Sequence, residues 1–211
     1  GTEYLDGQVS VNNGIQEWTV PYTATYTIEA LGAAGSYGEG GSGGNGARMK
    51  GDIFLQANEL LKIVIGQQGT YGGSSEPGGG GGGSFIYTGD IGGVNGLLIA
   101  AAGGGGGSCL NNNGEVACSG IDGTIETSGT PSTSGNKQGH DGNDYSCQYG
   151  GKGWNTIKYT PAGTNTSSYN DGGGFGGGSG GTACGGNQGH GAGAGGGYSG
   201  GGVGTESYYY A

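Results

Sequence analysis

The chain has 211 residues, 62 of them Gly and only four Pro, with a formal net charge of −10 from 16 Asp plus Glu against six Lys plus Arg. Collagen is excluded, because the glycine runs at 78–83 and 103–107 break any Gly-X-Y period. A nucleic-acid partner is excluded by the missing basic footprint, and no apolar run approaches the roughly 18 residues that direct insertion of a membrane helix needs.

In chain order, the first element is a hairpin. Asn13-Gly14 lies between Val9-Ser10-Val11 and Ile15-Gln16-Glu17-Trp18, the pair that a type I′ turn favours. Next, Tyr22, Ala24, Tyr26, Ile28 and Ala30 alternate with Thr23, Thr25, Thr27 and Glu29. That is a period-two strand with one buried face, opened by Pro21 where a strand tolerates proline. Strand structure is thus expected over 8–31, with a glycine stretch at 32–46. A second strand region, 48–65, reads as a hairpin of 49–55 and 60–65 closed by Gln56-Ala57-Asn58-Glu59. Glycine returns at 66–83. Two short strands follow within 84–101, and the second, 97–101, is apolar throughout and expected to be buried on both faces. Glycine at 103–107 leads into a polar insertion at 108–149. Further strands are expected at 154–159 and 206–210, and 172–204 is the densest glycine region. No stretch has helical periodicity. The chain reads as one glycine-rich module over 1–211, opening at Gly1-Thr2-Glu3 as an excised piece of a longer protein.

The glycine runs at 32–46, 66–83, 103–107 and 172–204 recur between strands. A flexible linker has no reason to recur in this way. Glycine also forms an extended helix with three residues per turn and no internal hydrogen bonds. Without side chains, several such helices pack side by side, so that each buried backbone group finds a partner on a neighbour. The expected fold is all-β, a β-sandwich interleaved with a bundle of polyglycine type II helices and almost no α-helix.

Cys109, Cys118, Cys147 and Cys184 are even in number and lack C-x-x-C spacing, which disfavours zinc and favours two disulfides. Of the three pairings, local geometry favours Cys109 with Cys118 and Cys147 with Cys184. Disulfides imply an oxidising compartment. They also suit a chain whose glycines lose much freedom on folding. The glycosylation candidate Asn165, in Asn165-Thr166-Ser167, agrees with an extracellular location, secreted or as a cell-surface ectodomain.

G-x-S-x-G occurs around Ser42 and around Ser179. A nucleophile elbow needs a strand-to-helix turn and a histidine partner, and in a chain this rich in Gly the match arises by chance. No enzymatic activity and no cofactor are expected. His140 and His190, the two histidines, are too few for a zinc site. Asp141, Asn143 and Asp144 are the calcium candidates, but they lack the EF-hand glutamate and spacing, and a solvated loop is the plainer reading. Gly150-Gly151-Lys152-Gly153 is one copy of a repeat-like motif and carries little. Tyr208, Tyr209 and Tyr210 cannot all face inward on a strand, which makes them interface candidates.

The order of these features is familiar. Trp18-Thr19-Val20-Pro21 is followed by Tyr26-Thr27-Ile28-Glu29-Ala30-Leu31-Gly32-Ala33-Ala34-Gly35. Then come Gly51-Asp52-Ile53-Phe54-Leu55, Gly66-Gln67-Gln68-Gly69, Ser84-Phe85-Ile86-Tyr87, Leu97-Leu98-Ile99-Ala100-Ala101-Ala102 and Gly173-Gly174-Phe175-Gly176-Gly177-Gly178. The series resembles the glycine-rich extracellular domain of the anaplastic lymphoma kinase and leukocyte tyrosine kinase receptors over about 15–107 and 150–204. The insertion at 108–149 lies outside the match. The resemblance implies a jelly-roll sandwich of the tumour-necrosis-factor type interleaved with polyglycine helices. It also implies a protein-recognition module whose partner is a small basic secreted ligand, which the acidic balance would suit. The other reading is a structural subunit or repeat of an extracellular fibre, matrix or adhesin, whose partner is copies of itself.

Overall fold

A computed structural model of the chain describes residues 8–38, 41–71, 78–93, 95–107, 120–125, 151–155, 173–179, 182–183, 190–191 and 193–199. Among the described residues there is no helix. The strands run in the order β1 (Val9–Asn12), β2 (Ile15–Thr19), β3 (Ala24–Leu31), β4 (Arg48–Leu55), β5 (Leu60–Val64), β6 (Ser84–Tyr87), β7 (Leu97–Ala101), β8 (Thr182–Ala183) and β9 (His190–Gly191). Cys109, Cys118, Cys147, Cys184, Asp141, Asn143, Asp144, Asn165, Tyr208, Tyr209 and Tyr210 lie outside the described residues, as does the strand expected at 206–210.

β1 and β2 form the expected hairpin. Asn13 and Gly14 have φ of +50° and +80°, the left-handed pair of a type I′ turn. β2 pairs next with β5, β5 with β6 and β6 with β7, all antiparallel, in the order β1-β2-β5-β6-β7. β3 and β4 pair with each other in a separate antiparallel sheet, and β8 with β9 in a short third one.

The hairpin expected over 49–65 does not form. β4 pairs with β3 and β5 with β2, so the turn at 56–59 carries the chain from one sheet to the other. The turn closes on itself through Glu59 N–H to the Gln56 carbonyl (3.2 Å) and Gln56 N–H to Glu59 Oε2 (3.1 Å), and it is tied to the earlier crossing at 20–23. Val20 N–H donates to the Glu59 carbonyl (2.8 Å), Asn58 N–H to the Val20 carbonyl (2.8 Å), and Ala57 N–H to Thr23 Oγ1 (2.9 Å). The alternation in β3 starts late for the same reason. Tyr22 belongs to the crossing and is 75% exposed, while Tyr26, Ile28 and Ala30 turn inward.

The two sheets pack face to face. Ala30 and Leu55 of the small sheet meet Leu61, Ile86, Ile99 and Ala101 of the large one, with Val20 at the crossing. The opposite face of the large sheet is covered as well. There Val64, Phe85 and Tyr87 pack against Trp154, with Phe175 and Tyr198 at the margin. β6 therefore has buried side chains at all four positions. β7, the strand expected to be buried on both faces, is the last strand of its sheet among the described residues and is partly open at Leu97, Leu98 and Ala100. Of the strand expected at 154–159, only Trp154 and Asn155 are among the described residues. Trp154 stands in a turn, donating from Nε1 to the Gly93 carbonyl (2.9 Å) and from its backbone N–H to the Tyr198 carbonyl (2.9 Å).

The glycine segments leave and re-enter the sandwich at one end. Residues 32–38 continue β3 and 41–47 lead back to β4. Residues 65–71 continue β5 and 78–83 lead back to β6, and 102–107 continue β7. Ser84 pins this seam. Its hydroxyl donates to the Leu31 carbonyl (2.6 Å) and accepts from Gly66 N–H (2.9 Å). Beyond the seam, hydrogen-bond partners recur every three residues. Gly78 and Gly81 donate to Gly107 and Gly104, Gly79 and Gly82 to Thr70 and Gln67, and Gly80 and Gly83 to Ser179 and Gly176. The same central segment accepts from Ala33 and Ser36 on one side and from Gly193 and Gly196 on another. Segment 102–107 repeats the pattern, with Gly103 and Gly106 donating to Gly196 and Gly193, and Gly104 and Gly107 to Ala33 and Ser36. Exposure follows the same period, since Gly41, Gly44 and Ala47 are buried while Ser42, Asn45 and Arg48 are exposed. The segments form a backbone-bonded block with little room for side chains. A Cβ on Gly35 would stand 1.9 Å from the Gly105 carbonyl oxygen.

Candidate functional site

The serines of the two G-x-S-x-G matches stand in different surroundings. Ser179 is completely buried, and its Oγ accepts from Ala194 N–H at 2.7 Å and donates back to the Ala194 carbonyl at 3.4 Å. Such a hydroxyl satisfies a buried amide and is closed to a substrate. Ser42 is exposed, and its carbonyl accepts from Gly120 N–H (2.7 Å) as one rung of the block. His190 lies in β9, and His140 is outside the described residues.

The far end of the block gathers several segment ends. Gly38 and Gly41 bond each other in both directions (3.0 and 2.8 Å) and close the 32–38/41–47 pair. Beside them Gly78 N–H donates to the Gly107 carbonyl (2.8 Å), Gly79 N–H to Thr70 (3.2 Å) and Gly107 N–H to Ser36 (2.9 Å). The positions so joined are each several residues from the strand they extend, so the connections between segments begin and end together, away from the sandwich.

At this end stand Tyr37 and Tyr71, 46% and 57% exposed, with ring centroids 5.9 Å apart and planes tilted by 36°. Their segments are laced by side chains. Ser36 Oγ donates to the Thr70 carbonyl (2.6 Å), and Gln68 Nε2 donates to the Gly35 carbonyl (3.0 Å). An exposed aromatic pair above a hydrogen-bonded backbone is amphipathic, apolar on the rings and polar at the hydroxyls. Sequence reasoning missed this pair and singled out the tyrosines at 208–210. A signal was present, since Tyr37 and Tyr71 are each the last aromatic before a glycine-rich connection, three residues after Ala34 and Gln68.

A second surface is the outer face of β3 and β4. Thr25 lies opposite Phe54, Thr27 opposite Asp52, Glu29 opposite Lys50 and Leu31 opposite Arg48. Thr27 Oγ1 donates to Asp52 Oδ1 (2.6 Å) and Arg48 Nε to Glu29 Oε1 (2.6 Å). The hydrogen bond from Arg48 holds the Glu29 carboxyl below its ordinary range and raises Arg48 in return. Leu31 and Phe54, 60% and 64% exposed, stand among these charges.

The net charge is unevenly placed. The described residues hold six carboxylates (Glu17, Glu29, Asp52, Glu59, Asp90 and Asp122) against four cations (Arg48, Lys50, Lys62 and Lys152), contributing −2 of the −10. The other ten carboxylates include Glu39, Glu76 and Glu115, in the stretches that join 38 to 41, 71 to 78 and 107 to 120. No protein-family model matches the chain.

Proposed function

We propose that the chain is a non-catalytic extracellular recognition module, in which a jelly-roll sandwich carries a bundle of polyglycine type II helices whose far end binds a protein partner. The observation that carries this reading is the convergence of segment ends around Tyr37 and Tyr71 on a block held mainly by backbone bonds. A three-residue recurrence of bond partners is the period of the polyglycine helix. Connections on a rigid scaffold are the usual seat of binding, and exposed tyrosine suits an interface. The resemblance to the glycine-rich receptor domain points the same way. So do the carboxylates in the joining stretches, which would draw a basic secreted ligand.

The test is capture by immobilised module, comparing small basic secreted proteins with acidic ones of equal size. Saturable binding of a basic protein, weakened by salt and lost in the Tyr37→Ala/Tyr71→Ala double variant, supports the reading. Ordered polymers by light scattering, with no capture of either set, overturn it. They would favour the second reading, a self-assembling fibre or adhesin subunit, for which exposed Leu31 and Phe54 on a two-stranded sheet supply the contact.

A further inference from the structure

The backbone beside Tyr37 and Tyr71 is tied to one residue. Ser36 N–H donates to the Gly79 carbonyl (2.9 Å), and Gly79 N–H donates to the Thr70 carbonyl (3.2 Å). Each tyrosine follows a residue bonded to Gly79, so the spacing of the two backbones that carry the rings is set by a short chain of backbone bonds. Ser36 Oγ and Gln68 Nε2 add two lateral bonds between the same segments.

We propose that Tyr37 and Tyr71 form an oxidative coupling site, at which a haem peroxidase using hydrogen peroxide joins the two rings as a dityrosine bridge. Each phenol gives up its O–H hydrogen, one electron and one proton, and leaves a phenoxyl radical with spin density on the ring carbons ortho to oxygen. The two ortho carbons form the new carbon–carbon bond. Each then loses its hydrogen as a proton, and each oxygen regains one, which restores both aromatic rings. Peroxide accepts the two electrons and two protons and leaves as two waters.

The geometry selects this pair. Both rings are half-exposed and so open to a large oxidising enzyme, and a ring-centroid distance of 5.9 Å needs only a side-chain adjustment to bring ortho carbons together. Among the described residues it is the one contact between two tyrosine rings. Tyr26 meets Trp18, and Tyr87 is buried against Trp154. Tyr22 is more exposed, at 75%, but its neighbour Tyr26 donates to its backbone carbonyl (2.8 Å) and meets Trp18 edge-on instead, so Tyr22 would couple between copies. The bridge would close covalently the seam that Ser36 and Gln68 close with hydrogen bonds. A glycine-rich chain, which loses much freedom on folding, gains most from such closure.

The experiment treats dilute full chain with hydrogen peroxide and a haem peroxidase, isolates the monomer and maps its cross-links by mass spectrometry. A peptide pair joined through Tyr37 and Tyr71, lighter than its parts by two hydrogens, is expected in the monomer with dityrosine fluorescence. Tyr37→Phe and Tyr71→Phe each remove that peptide, and Tyr22→Phe leaves it. Phenylalanine keeps the ring contact, so folding is not at issue. Monomer cross-links that map elsewhere while these two peptides stay free overturn the proposal, as does coupling confined to dimers. Neither outcome bears on ligand capture by the uncoupled module.

Discussion

Gly82 in the glycine block and Gly51 in β4 are the same residue in opposite surroundings. A Cβ on Gly82 would stand 1.7 Å from the Phe175 carbonyl oxygen, whereas a Cβ on Gly51 would meet nothing within 4 Å. In the sandwich, side chains fill the space between sheets and the backbone bonds within them. In the block, backbone bonds run to neighbours on several sides, and side chains are what must be left out. Large-to-small changes should therefore damage the first region, and small-to-large changes the second. Gly82→Ala gives the largest effect. Its neighbourhood must open, loosening the bonds Gly82 to Gln67, Ala33 to Gly82 and Gly83 to Gly176. Three backbone bonds at about 1 kcal/mol each, with overpacking of about 1–3 kcal/mol, give a loss of about 4–6 kcal/mol. Denaturant unfolding measures it. A loss below about 1 kcal/mol would mean that the segments are pliable loops, and the contrast between regions would collapse.

Phe85→Ala probes the other rule. Phe85 is fully buried, with its ring centroid 5.3 Å from that of Trp154, where the large sheet meets the glycine block. Truncation should cost about 3–5 kcal/mol, read from the urea midpoint at unchanged slope. Trp154 emission should shift towards that of a solvated indole. A small cost with unchanged emission would show that the covering segments do not depend on this contact.

The hairpin at Asn13-Gly14, the inward face of β3 and the return of glycine between strands are legible because each is written in local spacing. The exposure of Ser42, Asn45 and Arg48 against burial of Gly41, Gly44 and Ala47 is local too, a period of three visible in the residue types. The role of 56–59 is not local. Its flanks look like a hairpin, and it is the pairing of β4 with β3 and of β5 with β2, with the bonds it shares with Val20 and Thr23, that makes it a crossing. The setting of Trp154 is not local either, because the Gly93 carbonyl that holds its indole is far away in sequence. The Tyr37–Tyr71 pair depends on the register of 32–38, 78–83 and 66–71 together; the place of each tyrosine before a glycine-rich connection marks the two residues but does not say that they meet.

Tyr87 sharpens the contrast through pH. Burial first, then the charges of Glu17 and Asp90, push its phenol from 10.0 up to about 12. The unfolded chain releases this proton above about pH 10, while the folded one holds it. The protonated phenol's contribution is therefore whole below about pH 10 and is lost as pH climbs towards 12. Tyr87→Phe should abolish this part of the alkaline decline, seen by comparing thermal midpoints of the two proteins at about pH 9 and pH 11. Parallel declines would mean that the phenol is not desolvated where β6 faces Trp154.

Gly51→Ala has the smallest expected effect and the opposite sign to Gly82→Ala. Gly51 lies opposite Ile28 in the β3–β4 pair, and its φ is not among the positive ones. Alanine restricts the unfolded chain, and here it fits the strand without strain. A gain of about 0.5–1 kcal/mol is expected, seen as a higher urea midpoint at unchanged slope. The residue change is identical to that at position 82, so chain entropy favours alanine at both sites. The difference in sign then isolates the backbone neighbour, which is present at Gly82 and missing at Gly51. A loss at Gly51 would show that glycine is required in the sandwich as well, and that the two regions do not follow separate rules.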